Sequence, residues 1–243
     1  MRDRSTFGLF HLAGSAMVAA VCWAWITLVL YPAPLASAVG LDHFFWFVLL
    51  VDVVLGPFLT FVVYKKDKKW LKLDLGMIAA LQLCALAYGI FTIVQARPVW
   101  LVFNVDRFDL VQAHDLDKRF SQAADPSYRN ASFLGPKWVA SRSPKDVRKK
   151  NELILESALG GPDLPQRVDL YLPISEDAEN IRARAHPLSD LDKHNAPATV
   201  KEILRAWPQA DGWLPLMARS ESKVVLVALK NGGPLAVVDL RPW

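Results

Sequence analysis

Between Ser5 and Leu41 the chain carries no Asp, Glu, Lys or Arg, between His43 and Tyr64 it carries only Asp52, and between Leu75 and Ala96 it carries none. An apolar helix needs about 20 residues to cross the roughly 30 Å hydrocarbon layer of a bilayer, and each stretch is long enough. The pattern predicts a membrane protein with three transmembrane α-helices within residues 1–96. Residues 97–243 have the charge density of a soluble domain and the length for one. A composition of 53% hydrophobic and 21% charged residues is then an average over two solvents.

The positive charges set an orientation. Arg2 and Arg4 precede the first stretch, no Lys or Arg lies between Pro32 and His43, and Lys65, Lys66, Lys68, Lys69 and Lys72 crowd the approach to the third. Short Lys-rich flanks stay in the cytoplasm, so the N-terminus is expected inside and the domain after Arg97 outside. In residues 97–243 the 21 Lys and Arg and 19 Asp and Glu alternate in sign along the chain, which excludes the clustered basic face of a nucleic-acid binder. Cys22 and Cys84 both fall in apolar stretches, leaving the soluble domain no disulfide. Ala36-Ser37-Ala38 offers a signal-peptidase-like site, but the apolar run from Phe7 to Tyr31 exceeds the h-region of a cleaved leader.

The first helix is expected over Leu9–Tyr31, stopped by Pro32 and Pro34. Trp23, Trp25 and Tyr31, with Phe44, Phe45, Trp46 and Phe47, collect near one predicted boundary, where amphipathic rings favour the headgroup layer. Beyond Arg97 the pattern changes to strand, with an apolar run and then alternation from Val99 to Phe108. Ser143-Pro144-Lys145-Asp146 reads as an N-cap with Pro at the first helical position, opening a helix that ends at Gly160-Gly161. Further helices are expected over Glu176–Ala185 and Ala198–Ala206. Strands Lys223–Lys230 and Leu235–Leu240 flank the hairpin signal Asn231-Gly232-Gly233. The predicted domain is α+β and ends in a β-hairpin.

Asp52 is the sharpest single residue, because an ionisable group inside a span seeks the bundle interior or a polar partner. At 1.5 Å per residue it lies roughly 12 Å deep, level with Trp23 and Tyr88, both hydrogen-bond donors. A bond within the bundle, a contact with another membrane helix, and an ion relay are the open readings. Gly56-Pro57 one turn later should kink the helix, with Thr60 able to satisfy freed backbone groups. In the soluble part, His114-Asp115-Leu116-Asp117, His186 and His194 match no metal-ligand spacing, and there is no nucleophile elbow, phosphate loop or extramembrane Cys. No metal, cofactor or catalytic residue is therefore expected, and the protein reads as a non-enzyme.

The stretch Val51-Asp52-Val53-Val54-Leu55-Gly56-Pro57-Phe58-Leu59-Thr60 is followed by Leu81-Gln82-Leu83, Ala87-Tyr88-Gly89, and Gln95-Ala96-Arg97-Pro98-Val99 leading to Phe103-Asn104-Val105-Asp106-Arg107-Phe108. With Leu214-Pro215-Leu216 and the closing Val238-Asp239-Leu240-Arg241-Pro242-Trp243, this resembles the TfpX/TfpZ family of type IV pilin accessory proteins. That family usually has an acid where this chain has Asn104. The resemblance implies a multi-pass protein of the bacterial inner membrane with a periplasmic domain. It would assist type IV pilus assembly by binding a cognate major pilin, alongside other inner-membrane assembly components and the lipid bilayer. Asp52, Gly56, Pro57, Thr60, Gln82 and Tyr88 form the candidate intramembrane contact set, and Gln95, Arg97 and Pro98 the juxtamembrane motif. A membrane-anchored chaperone or sensor for another envelope client stays open. So does a small transporter subunit, although only Asp52 and Gln82 supply intramembrane polarity.

Overall fold

The computed structural model describes residues 2–41, 50–65 and 68–243. The chain forms two compact units, one made of residues 1–29 and 40–95, the other of residues 30–39 and 96–243.

In the first unit, α1 (Arg2–Trp25) continues through a π-helical turn, Ile26–Leu30. A second π-helical turn, Leu50–Leu55, leads into α3 (Gly56–Val63), and α4 spans Leu71–Gln95. Pro57 lies in the first turn of α3, directly after the π-helical turn. The expectation of three spanning helices is overturned. Among the described residues, two helices are long and apolar enough to cross a membrane, Ser5–Leu30 and Leu71–Gln95. Between them the described residues contain a shorter apolar helix, Val53–Val63. Residues 42–49, including Phe44, Phe45, Trp46 and Phe47, lie outside the described residues.

The second unit is built on a seven-stranded sheet, order β4-β3-β1-β2-β5-β6-β7. β1 (Pro98–Asn104) is buried from Val99 to Phe103, and its unbroken apolar run is that of a strand covered on both faces. The single strand expected over Val99–Phe108 is instead two. The chain reverses at Val105-Asp106, with Val105 at φ +62°, and β2 (Arg107–Gln112) returns antiparallel with Asn104 opposite Arg107. β3 (Lys137–Ser141) runs parallel to β1, and β5 (Gly212–Met217) parallel to β2. β4 (Tyr171–Pro173) closes one edge. β6 (Lys223–Ala228) and β7 (Gly233–Val238) pair antiparallel around the Asn231-Gly232-Gly233 turn.

Four helices complete this unit beside the short α2 (Leu35–Val39): α5 (Lys118–Ala123), α6 (Val147–Ala158), α7 (Ala178–Arg184) and α8 (Pro197–Arg205). α6 begins three residues later than Ser143 would have it, because the Asp146 carboxylate accepts from Arg148 N at 2.8 Å and Lys149 N at 3.1 Å. The core forms on both sheet faces. Phe103, Phe108, Leu214 and Val225 belong to one cluster, while Trp100, Val139 and Tyr171 belong to another. Leu35 of α2 joins the first cluster, and the Ala38 carbonyl accepts from Ser220 N and Glu221 N at 3.0 and 3.2 Å. Residues 30–39, read from the sequence as a plain connection, are thus part of the sheet domain.

Candidate functional site

The first unit contains a groove of about 320 Å³ between α1 and α4. His11, Ser15, Ala19 and Cys22 line it from α1, and Gln82, Leu86 and Ile90 from α4. Spacings of three and four residues put each set on one helix face. Small side chains on α1 create the space, and aliphatic ones on α4 form the opposite wall.

α3 braces both long helices. His11 Nδ1 and Thr60 Oγ1 are hydrogen-bonded at 2.6 Å, and Gly8 of α1 lies against Pro57 and Phe61. On the other side, the Gln82 amide of α4 lies against Gly56, in the space a Cβ there would take. The structure therefore brings together Gly56, Pro57, Thr60 and Gln82 of the predicted contact set. Tyr88 is not with them: it is 72% exposed and does not line the groove. The side chain of Asp52 lies outside the described residues. His11, Ser15 and Cys22 were missed by the sequence reading, although their recurrence every three or four residues among small side chains was there to be found.

The juxtamembrane motif is a structural node. Gln95 ends α4 and Pro98 opens β1. Arg97 between them is buried, with Nε donating to the Ser132 carbonyl at 3.1 Å and the guanidinium 4.0 Å from the Phe133 ring centre. Burial pulls the Arg97 pKa below its ordinary value, and the nearby Tyr31 phenol opposes this. Gln112 Nε2 donates to the Ala96 carbonyl at 2.5 Å, and Ala113 N to the Arg97 carbonyl at 2.9 Å. Ala96 and Arg97 are thus tied to the end of β2. Further along β1, Asn104 Nδ2 donates to Asp109 Oδ2 at 3.1 Å, where an acid would set two carboxylates side by side. Burial raises the Asp109 pKa, and the bonds from Asn104 and Arg107 hold the rise back.

The histidine motif has structural employment. Asp115 accepts from Gln112 N at 2.9 Å and pairs with Arg219 at 2.8 Å, and Asp117 caps α5. His186 packs against Trp213 and exchanges backbone bonds with it. Among the described residues, no three His, Cys, Asp or Glu side chains are grouped to hold a metal ion. At the start of β6, the Lys223 side chain is 5% exposed, and its amine contacts Glu221 at 2.7 Å and Asp239 at 2.6 Å.

Two apolar helices of bilayer-crossing length joined to an α+β sheet domain define a class compatible with membrane anchoring. Comparison with known proteins makes the assignment specific. The chain is 32% identical over 181 residues to the fimbrial assembly protein, serogroup I, of Dichelobacter nodosus, covering 74% of this chain and 70% of that one. It is 29% identical over 238 residues to the serogroup E1 protein of the same organism, covering 95% and 92%. Against the serogroups C1 and C2 protein, identity is 33% over 108 residues, 44% of this chain and 82% of the relative. The chain belongs to this family of fimbrial assembly proteins. No family model and no solved structure matches it.

Proposed function

We propose that this protein serves type IV fimbria biogenesis as a TfpX/TfpZ-type accessory protein of the bacterial inner membrane, binding its cognate major pilin. The observation that carries this reading is the groove between α1 and α4. Its walls are apolar, one is stepped back by small side chains, and α3 braces it from behind. A third apolar helix packs well on such a surface, since helices in lipid associate through close backbone approach and a few polar contacts. The membrane-held helix of a pilin is such a partner, and the sheet domain then meets the pilin head. The action is binding rather than catalysis.

The orientation rests on charge and connectivity. Arg2 and Arg4 flank the start of α1, so that start faces the cytoplasm and the segment after α1 lies outside it. The segments after both helices, residues 30–39 and 96–243, fold into one unit, which accordingly lies in the periplasm.

A photo-crosslinking residue at Ala19, in the groove, should capture the major pilin in piliated cells, and one at Tyr88 should capture far less. Equal capture at both positions, or none at Ala19, sinks the groove reading. In the same strains, a reporter active only outside the cytoplasm and fused after Trp243 should be active. Pilin should have the same mass with and without this protein.

A further inference from the structure

The end of the sheet where the chain arrives from α4 carries exposed apolar side chains. Parallel pairing sets Lys137, the first residue of β3, opposite Trp100 near the start of β1. The loop before β3 therefore emerges beside Arg97, which lies within about 8 Å of the last residue of α4 by chain geometry alone. That loop presents Phe133 and Leu134, 59% and 87% exposed. It is not a loose excursion. Arg97 holds it by the bond to the Ser132 carbonyl, while the flat face of the guanidinium lies against the Phe133 ring. Within the loop, Leu134 N donates to Ser132 Oγ at 3.0 Å. Its charge is one-sided: from Pro126 to Lys137 the sequence has no Asp or Glu, and its cations, Arg129 and Lys137, are both exposed.

We infer that the Ser132–Leu134 loop is a second membrane anchor, seating Phe133 and Leu134 in the bilayer interface while Arg129 and Lys137 face anionic phospholipid headgroups. The inference rests on the reading that α4 crosses the membrane. If it does, the loop stands at interfacial depth, where apolar side chains flanked by cations are most favourably placed. The opposite end of β1 provides an internal comparison. Val105 is 65% exposed, similar to Phe133, but lies about 20 Å away along a seven-residue strand. Arg97 then has a positioning role, because it holds the loop that carries Phe133 and Leu134.

The test uses the full chain in vesicles of phosphatidylethanolamine and phosphatidylglycerol, with Cys22→Ser and one remaining cysteine carrying an environment-sensitive fluorophore. The label is placed at native Cys84, within α4, or, on a Cys84→Ser background, at Leu134→Cys or Val105→Cys. Nitroxide lipids should quench Cys84. They should also quench Leu134→Cys, more strongly from shallow than from deep nitroxides and with a blue-shifted emission, and should leave Val105→Cys unchanged. If Cys84 is quenched and Leu134→Cys behaves like Val105→Cys, the anchor is refuted while the membrane reading stands. If Cys84 itself is unquenched, both fall.

Discussion

The two units put the same residue types to opposite uses. In the sheet domain, Trp100, Phe103, Phe108 and Leu214 are buried, and β1, which carries the first two, is covered on both faces. In α1 and α4, Phe10, Leu81, Leu83 and Phe91 point outward, and few side chains are enclosed. Water would penalise that exposure at about 25 cal/mol per Å² of apolar surface, and lipid would not. The contrast teaches that apolar composition alone does not locate a core; which solvent surrounds the helix decides whether an outward Leu is a defect or a contact.

The largest expected effect sharpens this contrast. Phe103→Ala should destabilise the sheet domain by about 3–5 kcal/mol, the cost of a large cavity beside Phe108 and Leu214. Leu81→Ala, at an exposed position on α4, should change stability by less than about 0.5 kcal/mol in the same detergent-solubilised full chain. Denaturant unfolding followed by Trp emission measures both. Comparable losses would mean that α4 is the core helix of a soluble protein and would break the comparison.

A smaller effect probes how the sheet domain tolerates a buried charge. Glu221→Gln combined with Asp239→Asn strips the Lys223 amine of both carboxylates and should cost about 2 kcal/mol, less than an enclosed pair because both acids face water. Lys223→Met should cost less, since it leaves two carboxylates that solvent can hydrate. The reverse order, again from denaturant unfolding, would show that Lys223 is not the buried partner.

The smallest effect concerns Asp109, whose pKa burial raises. An acid with a raised folded-state pKa contributes stability that is present below its ordinary value, about 3.9, and is lost as pH rises through the folded value. Wild type should therefore lose stability relative to Asp109→Asn as pH rises from about 4 towards neutrality. Thermal unfolding at a series of pH values reads the difference, and a constant offset across that window would refute the assignment.

Much of the sheet domain was legible because its signals are local. The Asn231-Gly232-Gly233 turn specifies its hairpin through backbone conformation, with Gly232 at φ +65°, and the apolar run from Val99 to Phe103 specifies a covered strand. The reversal at Val105-Asp106 escaped notice because it uses a non-glycine residue at positive φ, which no turn signature announces. Asp146 rather than the expected Ser143 caps α6, because its carboxylate is the one that reaches two free backbone N–H groups, a geometry that sequence spacing does not carry. In the helical unit, uncharged length was plain, yet it predicted three spans where the described residues contain two helices of sufficient length.

The sequence by itself determined the apolar character of residues 1–96, the charge asymmetry at the helix ends and the α+β nature of residues 97–243. These are read from composition and short-range pattern, which depend on neighbours in the chain. Only the tertiary structure decided that Leu35 and Ala38 belong to the sheet domain, that His11 meets Thr60 while Gln82 lies against Gly56, and that Arg97 holds the Phe133–Leu134 loop. Each of these joins residues far apart in sequence. Such pairings depend on how packed elements share space, a property that no local pattern of side chains encodes.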